Sequence, residues 1–533
     1  MLCIDKIDFK FVNCFFIQNQ MRLYFSLLFI LFFNLVFSQE NLSKTASESF
    51  NQGDFNQALT SYLELLKQEP ENSKYNYRVG VCYLNTNIDK AKAVSYLEKT
   101  IQLPEPDPNT YYLLGRAYHF AYRFQEAIKM FEQFKSINKG APENLLDTDK
   151  QIEYCYNAIE LMKFPLDVSF NNLGSLINSR EKDYYPFAAK DESFLIYNSK
   201  RDDGSSKQTD GSFTSQIYFS KTKNGELTKS RILDQNINTH NGNEEIVGMS
   251  PDGDFLLFYF ENEQHFGDLF IAEFENEEIK NLQKLPKTIN SKNHEIAATI
   301  SKNGDVIYFA SDREGGFGGV DLYMSLKLPN GDWAPAQNLG PSINTPFDED
   351  FPNITADGKS LYFSSKGHTS MGGYDIFKAS WDNVKRIWTD VKNVGFPINT
   401  PEDNTNFRES ENGRTGYISA LRAEGLGDYD IYSVTFNEVE PEYTVIKGFV
   451  TTEDTTDIIK DVFISVIDLQ TDELYGSYLT NPITGRYIII LPQGKFNMMI
   501  EVPGFKNYFE DMEILGKSDF RSLIKKDIIL KKE

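Results

Sequence analysis

The sequence predicts a multidomain chain, α first and all-β afterwards: helical repeats, a five-bladed β-propeller closed by an N-terminal strand, and a C-terminal β-sandwich. Three observations predict it. Ile-Asn-Ser/Thr recurs at Ile177, Ile237, Ile289, Ile343 and Ile398, at spacings of 60, 52, 54 and 55 residues, and self-similarity near fifty residues marks a propeller or another repeat array. Ahead of these units, small residues recur on a helical pattern, with Ala58, Ala93 and Ala127 spaced 35 and 34 apart. Behind them, from Tyr443 onward, period-two alternation resumes without the repeat.

The 533 residues are too many for one core, and a prior of about 150 residues per domain suggests three or four domains. The 29 Tyr and 42 Phe favour strands. A formal charge of -23 argues against nucleic acid or anionic membrane as the main partner.

Met21, Arg22 and the apolar run Leu23 to Phe37, ending Val36-Phe37-Ser38, have the charge-core-small-residue order of a secretory signal over residues 21–38. The run is shorter than the ~20 residues of a spanning helix. Cleavage is expected after Ser38. Residues 1–20 fit neither a signal nor a domain and are expected to be a non-native upstream extension. Losing Lys6, Lys10 and Arg22 with Asp5 and Asp8 leaves 51 basic and 75 acidic side chains, a charge of -24. Cys82 and Cys155 remain, far apart on helical pattern, and are expected to be buried apolar residues without a disulfide. No cysteine follows the apolar run where a lipid anchor would need one.

Residues 41–163 read as helical hairpins at about 41–73, 74–107 and 108–137, followed by a closing helix at 145–163. Val79-Gly80 with Tyr83 returns as Leu114-Gly115 with Tyr118. Glycine or alanine lets two antiparallel helices approach, and the aromatics fill the groove between them. Asn51 to Phe55 forms the first turn, and Pro104, Pro106 and Pro108 punctuate the second junction. This pattern resembles the tetratricopeptide repeat (TPR). The resemblance implies a groove that holds a peptide or partner helix, although Tyr112 and His119 taken singly read as core.

Residues 165–437 carry the long repeat. In its fullest copy strand A is Asp348 to Ile354, Thr355-Ala356-Asp357-Gly358 turns, and Ser360 to Ser365 is strand B. A glycine loop follows at Gly367 to Gly373, then strand C at Tyr374 to Ser380 and strand D at Trp388 to Val394. Four short strands with regular turns make one blade. Asp252-Gly253, Asn303-Gly304, Asp357-Gly358 and Asn412-Gly413 supply turns at positive φ. Ser250-Pro251-Asp252-Gly253, Asp312-Arg313 with Gly315-Gly316, and Asp321-Leu322-Tyr323 resemble the PD40 class of WD40-like repeats, shared with the periplasmic TolB propeller. The first copy departs, with Lys190 to Ser193 at the turn and an insertion at 202–215. The last copy stops after Asp430 to Val434, while Leu166 to Leu173 matches strand D, so the N-terminal strand is expected to complete the fifth blade.

Residues 443–533 resemble the carboxypeptidase regulatory-like family, a small transthyretin-like sandwich. The residues that carry this are Gly448, Thr484-Gly485-Arg486-Tyr487 and Val502-Pro503-Gly504-Phe505.

Catalytic constellations are sparse. GxSxG, GxxxxGK and CxxC patterns do not occur. His294-Glu295 lacks the second zinc histidine, position 298 being Ala. Asp321, Asp375 and Asp430 recur at one blade position and read as turn holders. No enzyme activity, cofactor or metal is expected. The candidate partner-binding face carries the Ile-Asn-Ser/Thr and glycine loops, with Arg313, Phe317, Asn344 and His368 and the first-copy insertion. Copies differ most at Ser205 to Phe213, His265 and Arg313 to Phe317.

The order of signal, TPR stack, PD40 propeller and regulatory-like sandwich resembles the OmpA-family envelope proteins of Gram-negative bacteria that glide or use type IX secretion. In that family an OmpA-like domain that binds peptidoglycan follows the sandwich. Either further residues follow Glu533 or this member works without that tether, so no peptidoglycan link is expected of residues 1–533. The resemblance implies a periplasmic, outer-membrane-associated, non-catalytic scaffold, with envelope proteins bound through the TPR groove and the propeller face and no nucleic acid. A carbohydrate- or peptide-binding propeller is the second expectation, favoured if aromatics cluster on the Ile-Asn-Thr face. A propeller hydrolase or lyase would need convergent acids, a His or a metal at the channel.

Overall fold

The computed structural model describes residues 41–137, 142–189, 191–239, 242–261, 266–410, 413–437, 443–453, 459–481, 483–492, 494–514 and 523–533. The expected signal, the upstream extension and His265 lie outside them. Two compact units form. The first takes in the helices with Phe170–Ser410 and Tyr417–Ser433, and the second is built on Val434–Glu533.

The helices are α1 (41–52), α2 (Phe55–Gln68), α3 (Ser73–Leu84), α4 (Ala93–Thr100), α5 (Asn109–Phe120), α6 (Phe124–Ile137) and α7 (Pro142–Leu161). Their starts are written in the sequence. Asp54 Oδ1 takes the Gln57 N–H at 3.0 Å and Asn72 Oδ1 takes that of Tyr75 at 3.1 Å, satisfying donors that a helix N-terminus leaves open. The recurring glycines mark close approach. A Cβ on Gly80 would lie 2.5 Å from Leu97 Cγ, and one on Gly115 2.7 Å from a Phe131 ring carbon. Cys82 and Cys155 are free buried thiols, pushed up to about 12 by burial.

After β1 (Val168–Asn172), five antiparallel sheets follow in series. The first has β2 (Asp183–Ala188), β3 (Phe194–Ser199), β4 (Gln216–Lys223), β5 (Glu226–Leu227) and β6 (Arg231–Ile232). The second has β7 (Asn243–Met249), β8 (Phe255–Glu261), β9 (Phe266–Glu275) and β10 (Glu278–Lys284). The third has β11 (Glu295–Ile300), β12 (Val306–Ser311), β13 (Asp321–Leu326) and β14 (Gln337–Asn338). The fourth has β15 (Glu349–Ile354), β16 (Ser360–Ser365), β17 (Asp375–Asp382) and β18 (Ile387–Asn393). The fifth has β19 (Thr405–Glu409), β20 (Thr415–Ala420) and β21 (Asp430–Phe436), with β1 beside β21. The first strands touch in a cycle: β2 with β7, β7 with β11, β11 with β15, β15 with β19, and β19 with β2. This is a β-propeller arrangement, with apolar cores between successive sheets.

The repeated motif does the same work in each sheet. Asn344 Oδ1 accepts the Leu322 N–H at 2.8 Å and its Nδ2 donates to the Leu322 carbonyl at 2.9 Å. Asn178, Asn238, Asn290 and Asn399 clamp Ile431, Ile217, Leu269 and Ile376 in the same way. The Ser or Thr that follows binds the acid or amide at the head of the next first strand. Thr345 gives its N–H and hydroxyl to Glu349, each at 2.7 Å, and Ser291 gives the same pair to Glu295 at 2.8 Å. The loop thus stitches the third strand of one sheet to the first strand of the next. Polar groups buried this way must be paired.

In the second unit β22 (Tyr443–Thr452), β23 (Phe463–Asp468), β24 (Glu473–Leu479), β25 (Arg486–Pro492), β26 (Gly494–Ile500), β27 (Tyr508–Ile514), β28 (Leu523–Lys525) and β29 (Ile528–Leu530) form two sheets. One is ordered β25-β22-β28, with β29 also on β22, and the other β24-β23-β26-β27. Ile446, Val450, Ile464, Val466, Ile489, Leu491, Met498 and Ile500 share one apolar core. Gly448 is required there because a Cβ would meet the Lys526 carbonyl oxygen at 1.7 Å.

Candidate functional site

The four residues expected on the partner-binding face fall into different roles. Arg313 and His368 occupy related places in their sheets, beyond the end of the second strand. Arg313 donates to the Ile289 carbonyl at 2.5 Å and to Glu295 at 3.0 Å, with its guanidinium 4.9 Å from the ring centroids of both Phe309 and Tyr323. Arg201 repeats this pattern on Ile177, Asp183 and the Tyr218 ring. His368 Nε2 donates to the Ile343 carbonyl at 2.8 Å, and burial lowers its pKa. Asn344 is buried, with its oxygen and nitrogen both used inside the clamp. Phe317 is half-exposed, on a loop whose N–H groups at Phe317 and Gly318 are held by Asp321.

Asp375 and Asp430 act as Asp321 does, each taking a loop N–H, from Met371 and Leu426, and a strand amide, from Asn393 and Asn172. These recurring acids hold loops. The Ser205 to Phe213 insertion leans toward the helices, since a Cβ on Gly211 would lie 3.1 Å from the Asp54 carboxylate.

The helices pack on this same propeller face. His119 of α5 donates Nε2–H to the Met371 carbonyl at 2.8 Å; burial brings its pKa down to about 4, so it stays neutral. From α7, the Tyr154 hydroxyl donates to the Lys366 carbonyl at 2.6 Å and Asn157 to that of Ser370 at 2.9 Å. Met371 joins the helical core itself. Asn87 donates to Asp428 at 2.7 Å, and Lys90 pairs with Glu402, both side chains largely buried. The propeller's glycine loop therefore packs against α5 and α7, and His119 is buried there, as its reading as a core residue predicts.

A cavity of about 460 Å³ remains between the two layers. This lies within the ~300–1,000 Å³ range of ligand sites. Its helical wall offers Asn85, Lys90, Arg116, Phe120 and Gln151. Its propeller wall offers Lys182, Tyr184, Tyr185, Asp350, Phe351 and Tyr374, with Glu402, Asp403 and Tyr429 from the loops. The aromatic groups are in contact: Tyr185 lies 4.6 Å from both Tyr184 and Phe351 between ring centroids, and Phe351 lies 6.1 Å from Tyr374. The Lys182 ammonium sits 4.8 and 5.2 Å from the Tyr184 and Tyr429 centroids, and its pKa is lowered by burial. Burial holds the Asp350 carboxyl up at about 7, against the opposing pull of the Phe351 N–H.

Sequence reasoning missed most of this wall. The available signal was departure from the repeat: Tyr185-Pro186 and Phe351-Pro352 give aromatic-proline pairs in two copies only. Both aromatics have positive φ, 52° and 50°, at register shifts in β2 and β15. Such bulges re-aim side chains.

No protein-family model matches the chain, and no curated protein is matched by its sequence. Among solved structures, TolB from Acinetobacter baumannii is similar at 15% identity, over 50% of this chain and 57% of that chain, with a TM-score of 0.30. The tricorn protease is similar at 11% identity, over 65% of this chain and 33% of that one, with a TM-score of 0.30. BT0996, solved as an RGII complex, is similar at 9% identity, over 54% and 96%, with a TM-score of 0.36. The chain thus spans little more than half of the TolB chain and a third of the tricorn chain. These overlaps are too loose to carry anything about the site, and the propeller assignment rests on the sheet order and the cycle of strand contacts.

Proposed function

We propose that this chain is a non-catalytic binding protein of the bacterial envelope, periplasmic after export, that holds a segment of a peptide or saccharide between its helical layer and its propeller. The observation that carries the reading is the clustering of Tyr184, Tyr185, Phe351, Tyr374 and Tyr429 with charged groups around one cavity on the Ile-Asn-Ser/Thr face. Rings with polar tips give large contact area at little entropic cost, and flanking charges orient what binds. The non-catalytic reading is supported by the recurring acids, which are engaged in holding loops.

The finer architecture belongs to the same proposal. The five sheets are the blades of a five-bladed ring that β1 closes, the helix pairs are TPR-like, and the second unit is a regulatory-like sandwich. The module order supports an envelope setting beside type IX secretion or gliding systems. No helix among the described residues is long and apolar enough to cross a membrane.

The test uses an exposed wall position. Asn85→Trp places a large ring at the cavity, and its thermal midpoint should match that of the parent protein. Screening both proteins against peptide and oligosaccharide arrays should give ligands that the variant loses. Ligands bound equally by both proteins would sink the cavity reading.

A further inference from the structure

The repeats separate charges that build the fold from charges that do not. Asp183, Glu244, Glu295 and Glu349 each take the N–H and hydroxyl of a motif Ser or Thr. Asp350, the next residue along, stands outside this wiring. The corresponding residues in the other sheets are Tyr184, Glu245, Ile296 and Thr405, and Glu245 is satisfied by the Tyr184 hydroxyl at 2.6 Å.

Asp350 is 2% exposed, takes the N–H of its own neighbour Phe351 at 2.7 Å, and makes no ion pair among the described residues. Lys366, the cation on the adjacent strand end, is committed to Asp348 at 2.9 Å. A buried carboxylate without a cation is costly. It nevertheless lines the cavity, beside the Tyr185, Phe351 and Tyr374 rings. Asp403 stands exposed on the same wall and holds the Tyr374 N–H at 2.9 Å. Of the cavity's own cations, Lys90 is paired with Glu402, Lys182 lies over two tyrosine rings, and Arg116 lies over Phe120.

We propose that Asp350, with Asp403 and the Tyr185, Phe351 and Tyr374 rings, receives the cationic side chain of a peptide, a lysine ammonium or an arginine guanidinium. This rests on the binding role of the cavity and names what it takes. A cation supplies both the donors a carboxylate lacks and the charge that aromatic faces attract. A neutral sugar supplies only hydrogen bonds. The groups facing Asp350 and its cavity are Asp348, Glu349, Lys366 and Tyr374 from its own sheet, Lys182, Tyr184 and Tyr185 from the first, and Glu402, Asp403 and Tyr429 from the loops. Lys90, Arg116 and His119 face it from the helical side. Because Asp350 is protonated below about pH 7, a bound cation displaces that proton, so binding strengthens as pH rises.

The test is calorimetric titration of the full-length protein at about 0.3 M salt, which screens the long-range pull of its acidic surface. The probes are acetyl-Ala-Lys-Ala amide, acetyl-Ala-Arg-Ala amide, the matching Gln peptide, putrescine and maltotriose. A basic peptide should saturate one site and bind about tenfold tighter at pH 8 than at pH 6, as follows from ionising one carboxyl across that interval. It should lose at least about tenfold in Asp350→Asn and in Asn85→Trp, and bind at least about tenfold tighter than the Gln peptide, the loss of a charge-assisted contact being of that order. Putrescine binding as tightly as the peptides overturns the peptide assignment. Maltotriose bound, blocked by Asn85→Trp and indifferent to Asp350→Asn, overturns the cation inference and leaves the cavity reading standing. Failure of every probe, or indifference of all binding to Asn85→Trp, overturns both. If Asp350→Asn does not fold, the pH dependence and the Gln comparison on the parent protein decide.

Discussion

The rings of Tyr185 and Phe351 meet with centroids 4.6 Å apart and planes tilted by 50°, although β2 and β15 are not neighbours in the cycle of first strands. They therefore meet across the middle of the ring. Asn353 donates to Asn406 at 2.7 Å, and Arg408 reaches the carbonyls of Ala188, Met249 and Ser250 at 2.8, 3.1 and 2.6 Å. The centre is filled by residues that differ between copies. Removing one large ring from such a site costs ~2–4 kcal/mol. Tyr185→Ala and Phe351→Ala should each lower stability by that amount in urea unfolding. Their double-mutant coupling should fall near 0.5–1.5 kcal/mol, the range for aromatic pairs. Strict additivity would mean the rings do not brace one another.

The Asn clamps make a different demand. Asn399 serves both the N–H and the carbonyl of Ile376, at 2.8 and 2.9 Å, in a buried setting, and also donates to Asn393. Asn399→Ala leaves two backbone groups unpaired, which costs ~2–4 kcal/mol. The urea midpoint should fall with an unchanged slope. A loss below ~0.5 kcal/mol, the level of an ordinary surface change, would show that water replaces the amide.

What the chain reveals in sequence follows from what repetition can encode. The Ile-Asn-Ser/Thr units and the turn glycines, such as Gly253 and Gly358 with φ of 88° and 69°, recur because each sheet needs the same stitch and the same turn. The helix glycines were legible for a similar reason, since each admits one facing residue. The cavity was not legible, because it arises where two unrelated repeat arrays are laid together and neither period records the other. Arg313 and His368 stood out on the face that carries the Ile-Asn-Ser/Thr and glycine loops, yet each is engaged by a motif carbonyl far back in the chain, that of Ile289 or Ile343. The aromatic-proline departures of Tyr185 and Phe351 were visible, but only the ring brings them face to face.

Burial raises the carboxyls of Asp350 and Glu349 to about 7 and that of Asp375 to about 8. A carboxyl whose pKa is higher in the folded state keeps its proton longest there. The folded chain therefore binds more protons than the unfolded one between roughly pH 4 and 8, and these groups lose stabilising effect as pH rises through that window. Asp350→Asn removes one such titration. Its stability relative to the parent protein should climb from pH 5 to pH 8 by about 2.7 kcal/mol, since about two pH units separate pH 5 from the folded pKa and each is worth about 1.36 kcal/mol. The check is urea unfolding at both pH values. A difference that stays flat with pH would mean that Asp350 is ionised throughout.

Lys90 and Glu402 tie the helical layer to the propeller at the cavity edge, with side-chain exposures of 11% and 18%. Burial raises the Glu402 pKa, while Lys90 and Arg116 oppose the rise. Breaking such a pair leaves one charge stranded and costs ~3–5 kcal/mol, whereas replacing both by apolar groups is often neutral. Lys90→Met should accordingly destabilise the protein by up to that amount, tempered by partial solvent access and by Arg116 nearby. Lys90→Met with Glu402→Leu should recover most of the loss. Proteolysis offers a second readout, because weakened docking exposes the 85–92 connection between α3 and α4. If the double variant is no more stable than Lys90→Met, the pair contributes through specific hydrogen bonding and not through mutual neutralisation.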